Sequence, residues 1–329
     1  MKKTLVAVAA LAASAAFAQS SVTLYGVADA YIGSQKNAAG VTQSVVNSDG
    51  LSPSRVGVSV KEDLGSGLNA FANFEQGIKL DTGSSAGVRT SIVGLGGSFG
   101  SVSLGAQDTP LTNAVLDVVD AQGESGFSAL TGSVNRDATT GNLASVNGTT
   151  SRLYTNSVRY DSPNMEGFSG AVQYGFGEDK TTTTSASHGA AFNLKYANGP
   201  VAVALAYQSD KAGATATTTN TTVFGGSYDF GPAKLNLGYG RTKVTAMNAA
   251  RDYNIGVTIP VGAFSIVGQY ANAKVSNTAG NSRSFGLEGR YALSKRTTAY
   301  VGYNDTRNTI GGIAAVKTNR FGVGLRHVF

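Results

Sequence analysis

Chemistry that needs a reactive side chain finds little to use in this chain. Its 329 residues contain no cysteine and two histidines, His188 and His327. That composition removes thiolates and disulfides and leaves few soft metal ligands. His188 borders a loop and His327 falls on the apolar side of a strand, so neither has the partners of a catalytic triad. No catalytic, cofactor or metal site is expected. The charged residues offer a different chemistry. Arg55 alternates with Val56 and Val58 and so faces away from them, Arg159 stands between Val158 and Tyr160, and Glu75 shares a strand face with Asn73. Asp117, Asp120, Glu124, Arg136 and Asp137 gather in one long stretch, 109–150. A guanidinium stays charged at any relevant pH, and its fork binds carboxylate or phosphate. Facing rows of acid and base across a narrow gap make a transverse field. Such a field orders water, favours small polar solutes over apolar ones and biases ions by its net sign.

Strands must position these groups, because apolar residues recur at every second position and nowhere at helical spacing. In the run from Arg55 to Lys61, three valines lie on one face and Arg55, Ser59 and Lys61 on the other. Phe168, Val172, Tyr174 and Phe176 oppose Ser169 and Gln173; Phe192, Leu194 and Tyr196 oppose Asn193 and Lys195. At the end of the chain Phe321, Val323, Leu325, His327 and Phe329 oppose Arg320, Gly322, Gly324 and Arg326. The connections alternate in length. Short turns rich in Gly, Pro and Asn fall near residues 65, 99, 164, 198, 231, 262 and 295. Longer polar links occupy 33–52, 81–88, 109–150, 179–187, 211–220, 244–250, 275–282 and 307–316, and the threonine tracts at 181–184 and 217–222 read as exposed loops. Seven turns and eight links predict about sixteen strands, an even number as in bacterial up-and-down barrels.

The surroundings follow from the N-terminus and the charge content. Met1-Lys2-Lys3, an apolar run over 5–17 and the Ala16-Phe17-Ala18 site describe a secretory signal peptide, 1–18, cut before Gln19. Charged residues make up 14% of the chain, below the ~25% usual in soluble domains. The formal charge of +6 includes Lys2 and Lys3, leaving 6 − 2 = +4 after cleavage, with no basic cluster suited to nucleic acid. A secreted β-sandwich would hide its apolar faces and would not alternate its loop lengths. Aromatic residues also gather at strand ends, where membrane interfaces would place them: Tyr174, Phe176, Tyr207, Phe230, Tyr239, Tyr253, Tyr270, Tyr291 and Phe329. The expected fold is therefore all-β, a sixteen-stranded antiparallel transmembrane β-barrel over 19–329. Sixteen strands leave an aqueous lumen. The longest link, 109–150, is the candidate to narrow it, and Leu111, Val115, Leu116, Val118 and Val119 suit packing against a wall.

The chain resembles the general outer-membrane porins of β-proteobacterial type. The resemblance is carried by Ser21-Val22-Thr23-Leu24-Tyr25-Gly26, Ser54-Arg55-Val56-Gly57, Lys61-Glu62-Asp63-Leu64-Gly65-Ser66-Gly67-Leu68, Asn156-Ser157-Val158-Arg159-Tyr160-Asp161-Ser162-Pro163 and Arg326-His327-Val328-Phe329. It implies a homotrimer in the bacterial outer membrane, with a long third loop folded into the lumen. It also implies that Arg89 and Arg152 join Arg55 and Arg159 at the constriction, facing Glu75, Asp117 and Asp120. Phe329 with Leu325, Val323 and Phe321 resembles the terminal signal read by the barrel-assembly machinery. The partners implied are outer-membrane lipid and lipopolysaccharide, and small hydrophilic solutes and ions, without nucleic acid. The expected function is a general diffusion porin with mild anion preference, or else a substrate-specific channel of the same fold. An outer-membrane enzyme or adhesin would need a catalytic cluster or a large outer domain, and the sequence displays neither.

Overall fold

The computed structural model describes residues 20–132, 150–276, 281–309 and 316–329. The expected leader, 1–18, and Arg136 and Asp137 lie outside the described residues. The strands are β1 (Ser21–Lys36), β2 (Thr42–Ser48), β3 (Arg55–Gly65), β4 (Leu68–Ile78), β5 (Ser85–Gly97), β6 (Gly100–Asp108), β7 (Leu153–Asp161), β8 (Phe168–Phe176) and β9 (His188–Asn198). They continue as β10 (Val201–Lys211), β11 (Thr218–Asp229), β12 (Lys234–Val244), β13 (Ala250–Val261), β14 (Phe264–Val275), β15 (Asn281–Ala292), β16 (Thr297–Asn308) and β17 (Val316–Val328).

Pairing is antiparallel throughout. β1 meets β17 from Val27↔Val328 to Lys36↔Asn319, which closes the sheet on itself. β1 also pairs with β2 along 30–36 and with β3 along 21–27, so β2 and β3 are two parts of one stave, broken at 49–54. Seventeen segments with one shared stave make a barrel of 17 − 1 = 16 staves. The short turns are tight: two residues join β13 to β14, and Gly262 there takes a left-handed φ of 60° that a side chain would strain.

Expected boundaries change most in two places. The link expected at 33–52 is mostly strand, since β1 runs on to Lys36 and β2 returns along it. The threonine tract at 217–222 largely belongs to β11, paired with β10 and β12. The apolar alternation fades in both places although the ladder continues. A stave that rises past the hydrocarbon edge no longer faces lipid on its outer side and needs no apolar row.

Side chains are sorted inside out. Val22, Leu24, Phe74, Phe176, Phe230, Phe321, Val323 and Leu325 are exposed, whereas Gln208, Gln269, Glu288, Thr221 and Ser284 on the opposite face are buried. A water-soluble protein buries the reverse set. Hydrocarbon outside accounts for the apolar face, and closure of the ladder leaves no backbone edge unpaired there. Ring pairs sit near both ends of the apolar band, as amphipathic rings at two interfaces would. Phe264 meets Tyr291 at 4.4 Å and Phe168 meets Tyr196 at 4.6 Å near the short turns, while Tyr239 meets Tyr253 at 5.7 Å toward the long links.

At the seam, Phe329 exchanges backbone hydrogen bonds with Gly26, at 2.9 and 3.1 Å. Its ring lies over that glycine: a Cβ on Gly26 would come within 2.4 Å of Phe329 Cζ. His327 is exposed on the same side and bonds Thr297 Oγ1 at 2.9 Å.

Candidate functional site

The long link after β6 builds the site. Thr109 Oγ1 accepts a hydrogen bond from Thr112 N at 3.2 Å, and Pro110 follows at the first helical position. A short helix, Pro110–Ala114, starts there and widens into a π-type turn, Val115–Val119. Leu111, Val115, Val118, Val119 and Leu130 are buried with Ala204 and Ala206 of β10, Val223 of β11 and Ala271 of β14. Glycines on the polar face make this approach possible. A Cβ on Gly238 would lie 2.3 Å from Val119 Cγ1, and one on Gly302 would lie 2.3 Å from the Phe127 ring.

Asparagines from four staves then hold the carbonyls of the segment, which buried backbone requires. Asn193 donates to Pro110 O at 2.7 Å, Asn236 to Val118 O at 2.7 Å, Asn254 to Val119 O at 3.0 Å and Asn304 to Ser128 O at 3.2 Å. Gln122 adds a bond to Glu288 Oε1 of β15 at 2.9 Å.

Anchored in this way, the segment delivers Glu124 to a group of arginines. Arg89 donates from Nη2 to Glu124 Oε1 at 2.9 Å and from Nε to Glu75 Oε1 at 2.6 Å. Arg55 approaches Glu75 at 3.4 Å and Glu124 at 3.6 Å. Arg152 bonds Glu124 and, at 3.0 Å, Asp108 Oδ1. Burial by itself would raise the pKa of Glu124, but the Arg152 and Arg89 guanidiniums outweigh it and hold the carboxyl at about 2. Burial likewise works against the Arg152 cation, and Asp108 and Glu124 more than offset it, so its pKa is raised.

Of the residues expected at the site, Arg55, Arg89, Arg152 and Glu75 are brought together. Asp117 goes elsewhere: it bonds Lys195 Nζ at 2.7 Å, and its side chain is half exposed. Asp120 is buried and accepts from Gln122 N at 3.0 Å and from Ser128 Oγ at 3.3 Å. Arg159 forms a separate group, with Asp161 at 2.6 Å and Asn113 at 2.8 Å. Glu124 is one acid among several in the sequence, and nothing in its spacing marks it. Its place is decided by the turns after Val119, which follow no sequence period. Arg290, Arg320 and Arg326 also reach this face: Arg290 pairs with Glu288, Arg320 donates to Gly126 O at 2.6 Å, and Arg326 donates to Ser52 Oγ at 2.9 Å. Strand alternation shows which way these three point, but the level at which they sit depends on inter-strand register.

A family model described as Gram-negative porin matches residues 4–311. Outer membrane porin protein 32 of Delftia acidovorans is 35% identical over 359 residues, covering 100% of both chains. An outer membrane porin protein of Bordetella pertussis is 30% identical over 403 residues, again covering 100% of both. Among solved structures, the anion-selective porin from Comamonas acidovorans superposes with a TM-score of 0.78 at 28% identity, covering 94% of this chain and 100% of that one.

Proposed function

The chain belongs to the Gram-negative porin family, and on that premise we propose that the long link expected at 109–150, of which 133–149 lie outside the described residues, folds into the lumen over 109–132, with Glu124 among its arginines setting the field there. The chain is a general diffusion porin of the bacterial outer membrane, a water-filled channel for passive movement of small hydrophilic solutes and ions. The observation that carries the proposal is the convergence of Arg55, Arg89 and Arg152 on Glu124. Sixteen staves alone would leave a wide opening, and a segment pinned across inner side chains turns it into a sieve.

Charge arithmetic supports mild anion preference. Arg55, Arg89 and Arg152 face Glu75, Glu124 and Asp108, so this group sums to 3 − 3 = 0. Arg320 and Arg326 are in no ion pair among the described residues; the Asp29 carboxylate near Arg326 offsets one of these charges, and the remaining excess of one cation tips the balance toward anions. The relative from Comamonas acidovorans is itself described as anion-selective.

The test is the reversal potential in a salt gradient. Arg55→Gln, Arg89→Gln and Arg152→Gln should each weaken anion preference more than Arg307→Gln, whose side chain is exposed near the end of β16. The difference should widen as salt is lowered, because screening acts over ~8 Å at physiological ionic strength. An equal shift from Arg307→Gln would put the constriction in the wrong place.

The same reading makes 1–18 a cleaved leader and 19–329 a barrel, inserted by the assembly machinery among lipid and lipopolysaccharide. It assigns no chemical reaction. It takes the working unit to be a homotrimer, with Ala28 and Ala30 offering a flat outer wall; Gly26 beside them is covered by Phe329 of the same chain. Light scattering of the detergent-extracted channel should give three protomers, and a fully active species of one-protomer mass would refute the trimer.

A further inference from the structure

The segment carrying Glu124 has a second hold at the barrel seam, built on a residue that the channel reading does not use. Asp29 of β1 is fully buried on the polar face. Its carboxylate accepts the backbone N–H groups of Gly50 (3.0 Å), Leu51 (2.8 Å) and Ser52 (2.9 Å), and the Tyr300 hydroxyl. Its own N–H donates to Ser54 Oγ at 3.0 Å, and its carbonyl accepts from Asp49 N at 3.0 Å. Between the pairs Ala30↔Ser48 and Val27↔Arg55, the β2–β3 stave spends six residues, 49–54, opposite two, 28–29. The excess chain leaves the ladder and wraps around this one side chain.

Gly50 in turn grips the segment. Its carbonyl accepts Ser125 Oγ at 2.8 Å and the Gly126 N–H at 2.9 Å. Arg320 caps Gly126 O, and the Phe127 ring lies 5.1 Å from Tyr31 and 6.3 Å from Tyr300. Ser125 follows Glu124 directly, so whatever fixes Gly50 also fixes the acid.

We propose that Asp29 is a positioning residue for the constriction: through the 50–52 turn it holds Ser125 and Gly126, and thereby sets the place of Glu124 and the width of the open pore. The proposal rests on the reading of 109–150 as the constriction. Hydrogen bonds to a carboxylate are the strong ones, and a buried carboxylate with several N–H donors defines one geometry. Asparagine keeps the shape but turns an N–H₂ group toward N–H donors. Losing one or two such bonds, at about 1 kcal/mol each, changes a two-state population by roughly five- to thirtyfold.

Single-channel recording of the purified full chain tests this with Asp29→Asn, Ser125→Ala, Gly126→Ala and the Asp29→Asn/Ser125→Ala double variant. Gly126→Ala acts from the segment's side, because its Cβ would lie 2.6 Å from Asp49 O. Asp29→Asn should lengthen the total time in brief partial closures by roughly five- to thirtyfold, with the heat-modifiable barrel retained. The double variant should do no more than the larger single change, because both break one hold. Parental closures in an assembled Asp29→Asn channel, or effects that simply add, would overturn the proposal. If Asp29→Asn does not assemble, Ser125→Ala and Gly126→Ala decide the matter, and parental closures in both would overturn it. Glu124→Gln in the same set separates the two readings. If it alters selectivity while the other variants behave as parent, only the hold by Asp29 fails; if it too changes nothing, the constriction itself is misplaced.

Discussion

Glu124→Gln should move the reversal potential further toward anions than any other single substitution on the polar face. One carboxylate serves three arginines there, with Arg89 Nη2 at 2.9 Å and Arg55 at 3.6 Å. Its removal changes the local sum from 3 − 3 to 3 − 2 and frees guanidiniums that were engaged. A unit charge at contact distance is worth ~1 kcal/mol even in bulk water and more where water is restricted, so the anion-to-cation permeability ratio should rise by about fivefold or more. The pH dependence follows from the same ion pairs. The Glu124 carboxyl lies at about 2 against an ordinary 4.5, so its folded-state pKa is depressed. Its stabilising contribution is complete above the ordinary value and is lost as pH falls from about 4.5 through about 2. Glu124 should therefore stay charged and make no pH dependence in parent selectivity around neutral pH, whereas strong acid should make the parent resemble the variant. A variant with the parent's reversal potential in low salt would remove Glu124 from the field altogether.

Deleting Phe329 should sharply reduce assembled, heat-modifiable barrel while leaving export intact. The residue does two things at once. Its backbone exchanges two hydrogen bonds with Gly26 at the last position of the β1–β17 seam, and its ring covers that glycine, which has no side chain to obstruct it. Each bond contributes about 1 kcal/mol, so closure should become less favourable by a factor of about ten, beyond any loss of recognition by the assembly machinery. Phe329→Leu separates the parts: it keeps the backbone bonds and loses the ring, and should fall between parent and deletion. Normal yield of folded barrel from the deleted chain would show that the terminal residue neither closes the seam nor signals for assembly.

Much of the fold was legible because strand alternation is a local property. The Phe168–Phe176 and Val316–Val328 staves show one apolar and one polar face without reference to any partner, and turn lengths then supply the stave count. The same logic failed at Thr42–Ser48 and at Thr218–Thr222, where the outer face carries no clean apolar row and a paired strand looks like a polar loop. The arginines were half legible. Arg55 and Arg159 could be assigned a face from their neighbours, while Arg89 and Arg152 stand next to weak patterns and needed the family resemblance. Asp117 and Asp120 were reasonable acids to choose from composition, but Asp117 meets Lys195 and Asp120 turns into the segment's own bonds.

What the sequence determined by itself was the sorting of residues between two faces and the alternation of short and long connections. Both rest on a period of two and on turn chemistry, which need no contact further away than the next residues. Only the tertiary structure decided that Glu124 is the acid the three arginines share, and that Asp29 stands behind Gly50, Ser125 and Gly126. Those contacts join residues from 21 to about 75 positions apart, across staves whose register and closure set every level in the barrel. No local period encodes such a level, because a segment without repeating structure can turn any one of its acids toward the wall.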